Sequence, residues 1–295
     1  MLKIKKCIPI RHKAQYKRFT RSKVGNFFYF AFLICAGLFS VLPLIYSVVT
    51  SFKPLDELMI FPPRFFVSRP TLSNYKILPT LISNLRIPLS RYIFNSLFVS
   101  VATTVLHIIC ASMAAFVFSK SKVKARYMIF MIVQFSLLYN SYTLSVPQYL
   151  IISKMHLIDT YWVYILPYIP SAMGVFLMKQ YIDVSVPDAL LEAAYIDGAT
   201  DFRVFWRLIM PIVKPAWLTL TLFAFRDMWS TVPGGTIFSE SLKTLPYAMS
   251  QITAGGIARA GSAMAVTVIM MIPPIIVYMI SQSNVMETMS SSGIK

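Results

Sequence analysis

An all-α membrane protein with six transmembrane helices is the fold this sequence predicts, on three observations. Hydrophobic residues make up 57% of the chain, mean hydropathy is +0.65, and only 13% of residues are charged. The apolar residues gather in six windows, roughly 27–49, 92–118, 127–151, 160–181, 216–237 and 262–284. Each reaches the about 20 residues that a helix needs to cross a bilayer. Most of the charges fall between the windows: the first 23 residues hold nine Lys/Arg and no acid, and Lys120, Lys122, Lys124 and Arg126 fill one short loop.

Each element follows in turn from that pattern. Residues 1–26 read as a basic cytoplasmic tail, because Lys and Arg accumulate on the cytoplasmic side of membrane helices. The first window is too long for the core of a cleavable signal peptide and lacks a small-x-small cleavage site, so it reads as a signal anchor. Parity then places loop 50–91 outside, the Lys120 loop inside, loop 152–159 outside and segment 182–215 inside, with the tail 285–295 also cytoplasmic. Loop 50–91 carries six Lys/Arg against two acids, a bias opposite to the rule, which weakens for longer loops. Pro43, Pro147, Pro167, Pro170, Pro233 and the pair Pro273-Pro274 interrupt most of the windows. Such breaks survive in lipid where neighbouring helices or a polar cavity satisfy the freed carbonyls.

Segment 182–215 is the polar interruption that looks built. Ser185 is placed to cap a helix whose first turn holds Pro187 and Asp188. Leu190, Leu191, Ala194 and Tyr195 follow at helical spacing, and Asp197-Gly198 breaks the run. A second helix restarts near Thr200, sets Phe202, Phe205, Trp206 and Ile209 on its apolar side, and stops at Pro211. Such a helix-turn-helix knob exposes acids and aromatics together and suits a groove on a partner. The alternative is an amphipathic pair resting on the headgroups, which three acids (Asp188, Glu192, Asp197) on an anionic surface oppose.

Chemistry-bearing constellations are missing from the sequence. It contains no GxxxxGK[ST] loop, no HExxH and no GxSxG elbow. His12, His107 and His156 are scattered, and Cys7, Cys35 and Cys110 have neither disulfide nor metal-ligand spacing. His107 reads as a helix-packing or cavity residue, since no carboxylate lies a turn away to orient it. The formal charge of +17 follows the positive-inside pattern and does not point to nucleic acid. We therefore expect no catalytic or metal site, and any uphill transport must draw energy from another subunit or an ion gradient.

The run EAAYIDGATDFRVFWRLIMPIVKP resembles the cytoplasmic EAA loop of binding-protein-dependent ABC importer permeases. Glu192, Ala193 and Ala194 match the name-giving triplet, Asp197, Gly198 and Ala199 its DGA turn, and Phe205, Pro211 and Pro215 the spacing of carbohydrate importers. The chain departs at Leu208 and Met210, where the family shows Ile-x-Leu. The order of spans is similar to that of the smaller, six-span membrane subunit of maltose-type importers, and FAFRDMWS, LKTLPYAMSQI and ETMSSSGIK resemble its lipoprotein or polysaccharide branch. The resemblance implies a type I ABC importer permease in the bacterial plasma membrane. It also implies a second permease subunit as heterodimer partner, an ATPase dimer that holds the ATP, an extracellular or periplasmic solute-binding protein, and a carbohydrate substrate. No cofactor is expected on this chain. Glu192 would then pair with a basic ATPase residue, Gly198 permit the turn, and Phe205 fill an apolar ATPase pocket, while Ser290–Lys295 would reach the ATPase dimer or else end without a role.

The substrate path is read from residues inside the windows, where polar groups face a cavity or a partner. Tyr139, Asn140, Ser141 and Tyr142 cluster at mid-depth in the third window, and Arg226, Asp227, Trp229 and Ser230 stand in the fifth. Tyr139, Asn140, Tyr142 and Trp229 suit a sugar route; Arg226 and Asp227 serve either that route or the contact with a partner permease. Two other classes stay open. A secondary transporter needs coupling acids, of which Asp227 is the one candidate, and an internal repeat, which is not evident. A membrane transferase needs clustered His, Asp or Glu. An importer for peptide or another non-sugar solute is the further alternative.

Overall fold

The structure is a computed structural model that describes residues 23–83, 87–139, 141–232 and 234–292. The expectations for tail residues 1–22, for Asn140, for Pro233 and for the last three residues lie outside these. Among the described residues every regular element is helical. The chain divides into two units, Met1–Tyr46 and Ser47–Lys295.

Helix α1 (Lys23–Ser51) supplies the described part of the first unit and runs into the second. Within the first unit its Phe and Leu side chains are exposed on every face, as suits a helix surrounded by lipid. Pro43 lies inside the helix without ending it.

In the second unit, the last turn of α1 leads to the short α2 (Leu55–Leu58) and to α3 (Ser73–Ser83). Asn74 Nδ2 donates to the carbonyls of Ser51 and Lys53, both at 2.8 Å, and Glu57 Oε1 accepts from the Ser68 amide at 2.8 Å. The long α4 (Leu89–Lys120) follows. Its outer face carries Phe94, Phe98, Val101, Val105, Met113 and Val117, and its buried face carries Ser96, Ser100, Thr103, Thr104, His107, Ala111, Ser112 and Ala115. Apolar outside and small or polar inside is the arrangement of a membrane bundle, where small residues let helices approach and hydroxyls bond across them.

The third window does not form one helix. It divides into α5 (Arg126–Ser136) and α6 (Ser141–Lys154), the latter containing Pro147. After α6 come α7 (Trp162–Ile165), extended by a tight turn over Leu166–Tyr168, and α8 (Ala172–Ser185), whose N-terminus is capped by Ser171 accepting from Gly174 N at 3.0 Å. Pro167 and Pro170 sit at the 44° bend between these pieces. The knob is α9 (Asp188–Ile196), α10 (Asp201–Val204), a π-helical turn over Phe205–Ile209 and α11 (Met210–Ile212). From there the chain bends by 80° into α12 (Lys214–Trp229). Helix α13 (Leu245–Thr253) and α14 (Ala260–Ser292) complete the order, α14 continuing through Pro273 and Pro274 and through most of the expected tail.

Among the described residues, three helices are long and apolar enough to cross a bilayer, over Val24–Ser51, Leu89–Lys120 and Ile257–Gln282. Two bent pairs, Trp162–Tyr168 with Ala172–Ser185 and Asp201–Ile212 with Lys214–Trp229, meet that criterion jointly. The fifth window is shorter than expected. Helix α12 ends at Trp229, so Arg226 and Asp227 stand in its last turn and not at mid-span. After α12, residues 234–239 are irregular, a single 3-10 turn follows over Glu240–Leu242, and this stretch is pinned from α4 and the 152–159 loop. Asn95 Nδ2 donates to the Ser241 and Lys243 carbonyls at 2.8 and 2.9 Å, and Asp159 Oδ1 accepts from the Phe238 and Ser239 amides at 3.0 and 2.8 Å. The Ser239 hydroxyl, together with those amide bonds, holds the Asp159 carboxyl below the usual carboxylate range.

Candidate functional site

The knob rests on a fixed mount. At the end of α4, Lys120 Nζ donates to the Val186 carbonyl and to Asp188 Oδ1, both at 2.7 Å. Beside it, Lys179 pairs with Asp183 at 2.6 Å and lies 4.8 Å from the centre of the Phe130 ring; Ser119 also donates to Asp183. Arg126 Nη1 reaches the Ser119 carbonyl at 3.0 Å. The Lys120 bond holds the Asp188 carboxyl below its ordinary range. Ser185 does not cap the first knob helix. It is the last residue of α8, and Pro187 occupies the N-cap position of α9 without a side-chain bond.

The turn of the knob is fixed by backbone geometry. The Gly198 amide donates to the Tyr195 carbonyl and the Ala199 amide to the Ala194 carbonyl, both at 3.0 Å. That pair of bonds is a Schellman closure, which requires a left-handed residue after the helix end. Gly198 supplies it at φ +78°. Thr200 caps α10, its hydroxyl accepting from the Arg203 amide at 3.4 Å, and Tyr195 OH donates to Asp201 Oδ1 at 2.8 Å across the angle. Burial and that bond raise the Tyr195 phenol above its ordinary value. A concavity of about 250 Å³ lies inside the angle, walled by Ala194, Asp197, Ala199, Arg203, Arg207 and Leu208, with Val204 at its base.

The knob's two faces separate the expected coupling residues. Glu192, Ala193, Asp197 and Gly198 are exposed, Ile196 is 86% exposed, and Ala194 and Ala199 are partly buried. Phe205 is not available to a partner. It is 3% exposed and packed within this chain, its ring 6.1 Å from that of Phe116 and 5.1 Å from that of Trp206. The exposed aromatics of the knob are Phe202, 70% exposed, Tyr195 and Trp206. The second helix does not stop at Pro211, which is exposed within α11. The change of direction comes at Val213, and Pro215 lies in the first turn of α12.

A second locus lies inside the bundle. A cavity of about 460 Å³ is lined by Thr103 and His107 of α4, Tyr139, Gln148 of α6, Tyr168, and Asp227 of α12, among others. A smaller one, about 270 Å³, shares Gln148 and Tyr168 with it and extends to Gly234, Gly235 and Thr236. Of the expected path residues, Tyr139 is on the larger cavity's wall. Asn140 lies outside the described residues, and Tyr142 opens α6 with its side chain outside them. Trp229 does not join the wall. It is 4% exposed, stacked on Phe225 at 5.8 Å, and its Nε1–H donates to the Met270 carbonyl at 2.8 Å. Arg226 and Asp227 diverge as neighbours on a helix must, and Asp227 is the one that lines the cavity. Thr103, Gln148 and Tyr168 escaped the sequence reading because nothing local distinguishes them from other polar residues in apolar windows.

Comparison with known proteins agrees with this architecture. Residues 98–290 match the family described as "Binding-protein-dependent transport system inner membrane component". The chain is 26% identical over 268 residues to the "Arabinooligosaccharides transport system permease protein AraQ" of Bacillus subtilis, covering 90% of this chain and 94% of that one. It is 26% identical over 291 residues to the "Polygalacturonan/rhamnogalacturonan transport system permease protein YtcP" of the same organism, covering 90% and 96%. A solved structure, "Crystal structure of a bacterial ABC transporter involved in the import of the acidic polysaccharide alginate", superposes with a TM-score of 0.75 at 22% identity, covering 89% of this chain and 98% of that one. That likeness shows the shared permease fold. With the family match extending over most of the bundle and the knob, the chain belongs to the inner membrane components of binding-protein-dependent transport systems, multi-pass proteins of the plasma membrane.

Proposed function

We propose that the chain is one of two membrane subunits of an ATP-driven importer and forms part of the path for a carbohydrate, an oligosaccharide or a polysaccharide fragment. Six spans are counted with α5–α6 as one broken span, and both termini lie in the cytosol. The knob docks on an ATPase subunit through Glu192, Ala193, Ile196 and Asp197, with Phe202 beside them. A second permease completes the path, and an external solute-binding protein delivers the substrate. ATP binds the ATPase, not this chain.

The single observation that carries this reading is the mounted knob. Its exposed acidic and apolar face stands on a Schellman turn, and Lys120 ties its base to the end of a long helix. A rigid pair of helices transmits the movement of a partner to the bundle, whereas a loose loop absorbs it. The carbohydrate assignment is supported by relatives named for arabinooligosaccharide and for polygalacturonan transport, one cargo neutral and the other acidic.

The test is co-purification and uptake. Glu192→Lys reverses the charge on the docking face, and Gly198→Val forces a β-branched residue into a left-handed conformation, at about 1–3 kcal/mol. Both variants insert into the membrane at wild-type abundance, lose the ATPase on purification and lose saccharide uptake. Normal recovery of the complex and normal uptake in both would reject the docking assignment.

A further inference from the structure

Loop 50–91 holds six Lys/Arg against two acids, and its hydrogen bonds show where those charges go. Lys53 is buried and donates to the Arg64 carbonyl. Glu57, also buried, accepts from the Ser68 and Arg69 amides at 2.8 and 3.5 Å, and Asp56 pairs with Arg69. Arg91 donates to the Ser241 carbonyl at 3.3 Å, and Arg86 lies outside the described residues. Both acids are thus engaged within the loop. Arg64 and Lys76 are exposed and have no ion-pair partner among the described residues.

Between Glu57 and its amide partners runs segment 59–66, MIFPPRFF, which is irregular. All eight residues are exposed, Phe61 by 92% and Phe66 by 75%, and none is acidic. Contiguous apolar exposure of this kind marks a contact with protein or with membrane.

The ends of two spans fix the level of this loop. Asn74 Nδ2 donates to the Ser51 and Lys53 carbonyls at 2.8 Å, and the Thr71 amide to the Phe52 carbonyl at 2.9 Å. A Cβ on Gly261 would stand 2.6 Å from Asn74 Oδ1. Ser51 ends the apolar run Val24–Ser51, and Gly261 lies near the start of Ile257–Gln282. Runs of 28 and 26 residues rise about 42 and about 39 Å as helices. A bilayer with its headgroups is about 40–45 Å thick, so the ends that hold the loop reach headgroup level. Leu78 of α3 shares a core with Ala263 and with Tyr92 near the start of α4, so this is the end of α4 opposite Lys120 and the knob.

We propose that segment 59–66 sets its Phe and Met side chains into the boundary between headgroups and acyl chains on the bilayer face opposite the knob, with Arg64 and Lys76 on the phosphates of anionic phospholipid. Phe and aliphatic side chains beside Arg or Lys are the composition that binds such a boundary, and each cation near an anionic surface adds to the attraction. The tether favours lipid over a soluble partner. Arg64 is tied to Lys53, two residues past the end of a span, so the segment meets the bilayer whether or not another protein is present. The inference does not depend on what the importer carries.

The complete importer in nanodiscs of mixed phosphatidylglycerol and phosphatidylcholine tests this. All other cysteines are replaced by serine, and a fluorophore is placed on Phe61→Cys or, as a water-facing control, on Gly235→Cys. Both positions are exposed, so neither label disturbs the bonds within the loop. A nitroxide on the lipid chain near the headgroup quenches the label at 61 and spares that at 235, and aqueous iodide does the reverse. Quenching at 61 is stronger from phosphatidylglycerol than from phosphatidylcholine, and Arg64→Gln with Lys76→Gln lowers that preference by about fivefold per charge. Iodide quenching at 61 equal to that at 235 overturns the proposal. Protection at 61 from both quenchers also overturns it, assigning the segment to a contact inside the importer. So does protection from iodide that arises only on adding the solute-binding protein. A phosphatidylglycerol preference that the double variant keeps removes Arg64 and Lys76 from the phosphates and overturns their part in it.

Discussion

Trp229 donates its indole N–H to the carbonyl of Met270 at 2.8 Å. The helical donor for that carbonyl would be the amide of residue 274, and residue 274 is a proline. Proline has no N–H and frees the carbonyl four residues earlier, so a side chain of α12 replaces a backbone bond of α14. This compensates the carbonyl that Pro274 frees within α14, which continues through Pro273-Pro274, and it gives Trp229 a structural role that its residue type does not announce. Trp229→Phe keeps most of the stacking on Phe225 and loses the bond, for about 1 kcal/mol. Trp229→Ala also empties the seam, for about 3–5 kcal/mol. Thermal unfolding of the detergent-solubilised protein ranks the two, and equal midpoints for wild type and both variants would remove the bond from the account.

Much of this fold is legible in the sequence, because span existence and the knob rest on strong local signals. The hydropathy windows locate α1, α4 and α14, and the DGA triplet marks a turn that the backbone realises with Gly198 at φ +78°. What the sequence hides is direction. Phe202 and Phe205 both belong to an aromatic run, yet Phe202 is 70% exposed and Phe205 is buried with its ring 6.1 Å from that of Phe116. Trp229 and Asp227 are two residues apart on α12 and face a packed seam and a cavity respectively. The third window reads as one apolar stretch, although α5 ends at Ser136 and α6 begins at Ser141.

The two knob aromatics should therefore behave oppositely. Phe205→Ala removes a buried ring and costs about 3–5 kcal/mol, which lowers the amount of folded subunit in the membrane. Phe202→Ala touches an exposed ring, changes stability by no more than about 0.5 kcal/mol, and weakens recovery of the ATPase. Quantitative immunoblotting of membranes, followed by affinity capture of the complex, separates the outcomes. Loss of ATPase capture by Phe205→Ala at full membrane abundance would restore that residue to the docking face.

Lys120 and Asp188 give a prediction in pH. The Lys120 bond depresses the Asp188 carboxyl, so the folded state binds its proton less readily than the unfolded state. The contribution of the pair is present above the ordinary carboxylate range and is lost as pH falls through the depressed value. Complex stability is thus insensitive to this pair across neutral pH and declines in acid. Asp188→Asn removes the acid limb of that dependence. Lys120→Met lowers the midpoint further, because it also strips the Val186 carbonyl of a donor, at about 1 kcal/mol. Unfolding midpoints measured as a function of pH check the order, and a smaller effect for Lys120→Met than for Asp188→Asn would contradict it.

Topology decides whether the knob faces the ATPase at all. Lys122 follows α4 in the basic loop, and Gly235 lies in the irregular segment after α12; both are exposed. With the knob in the cytosol, the Lys122 loop shares its side and Gly235 stands opposite. In a background with Cys7, Cys35 and Cys110 replaced by Ser, Gly235→Cys reacts with an impermeant maleimide on intact cells, and Lys122→Cys reacts only after the membrane is opened. The charge pattern supports this orientation through the Lys120–Arg126 cluster, since Lys and Arg near span ends resist translocation. The basic loop 50–91 pulls the other way, so the experiment weighs two real signals against each other. Labelling of Lys122→Cys from outside would turn the knob away from the cytosol and, with it, remove the docking face from the reach of ATP.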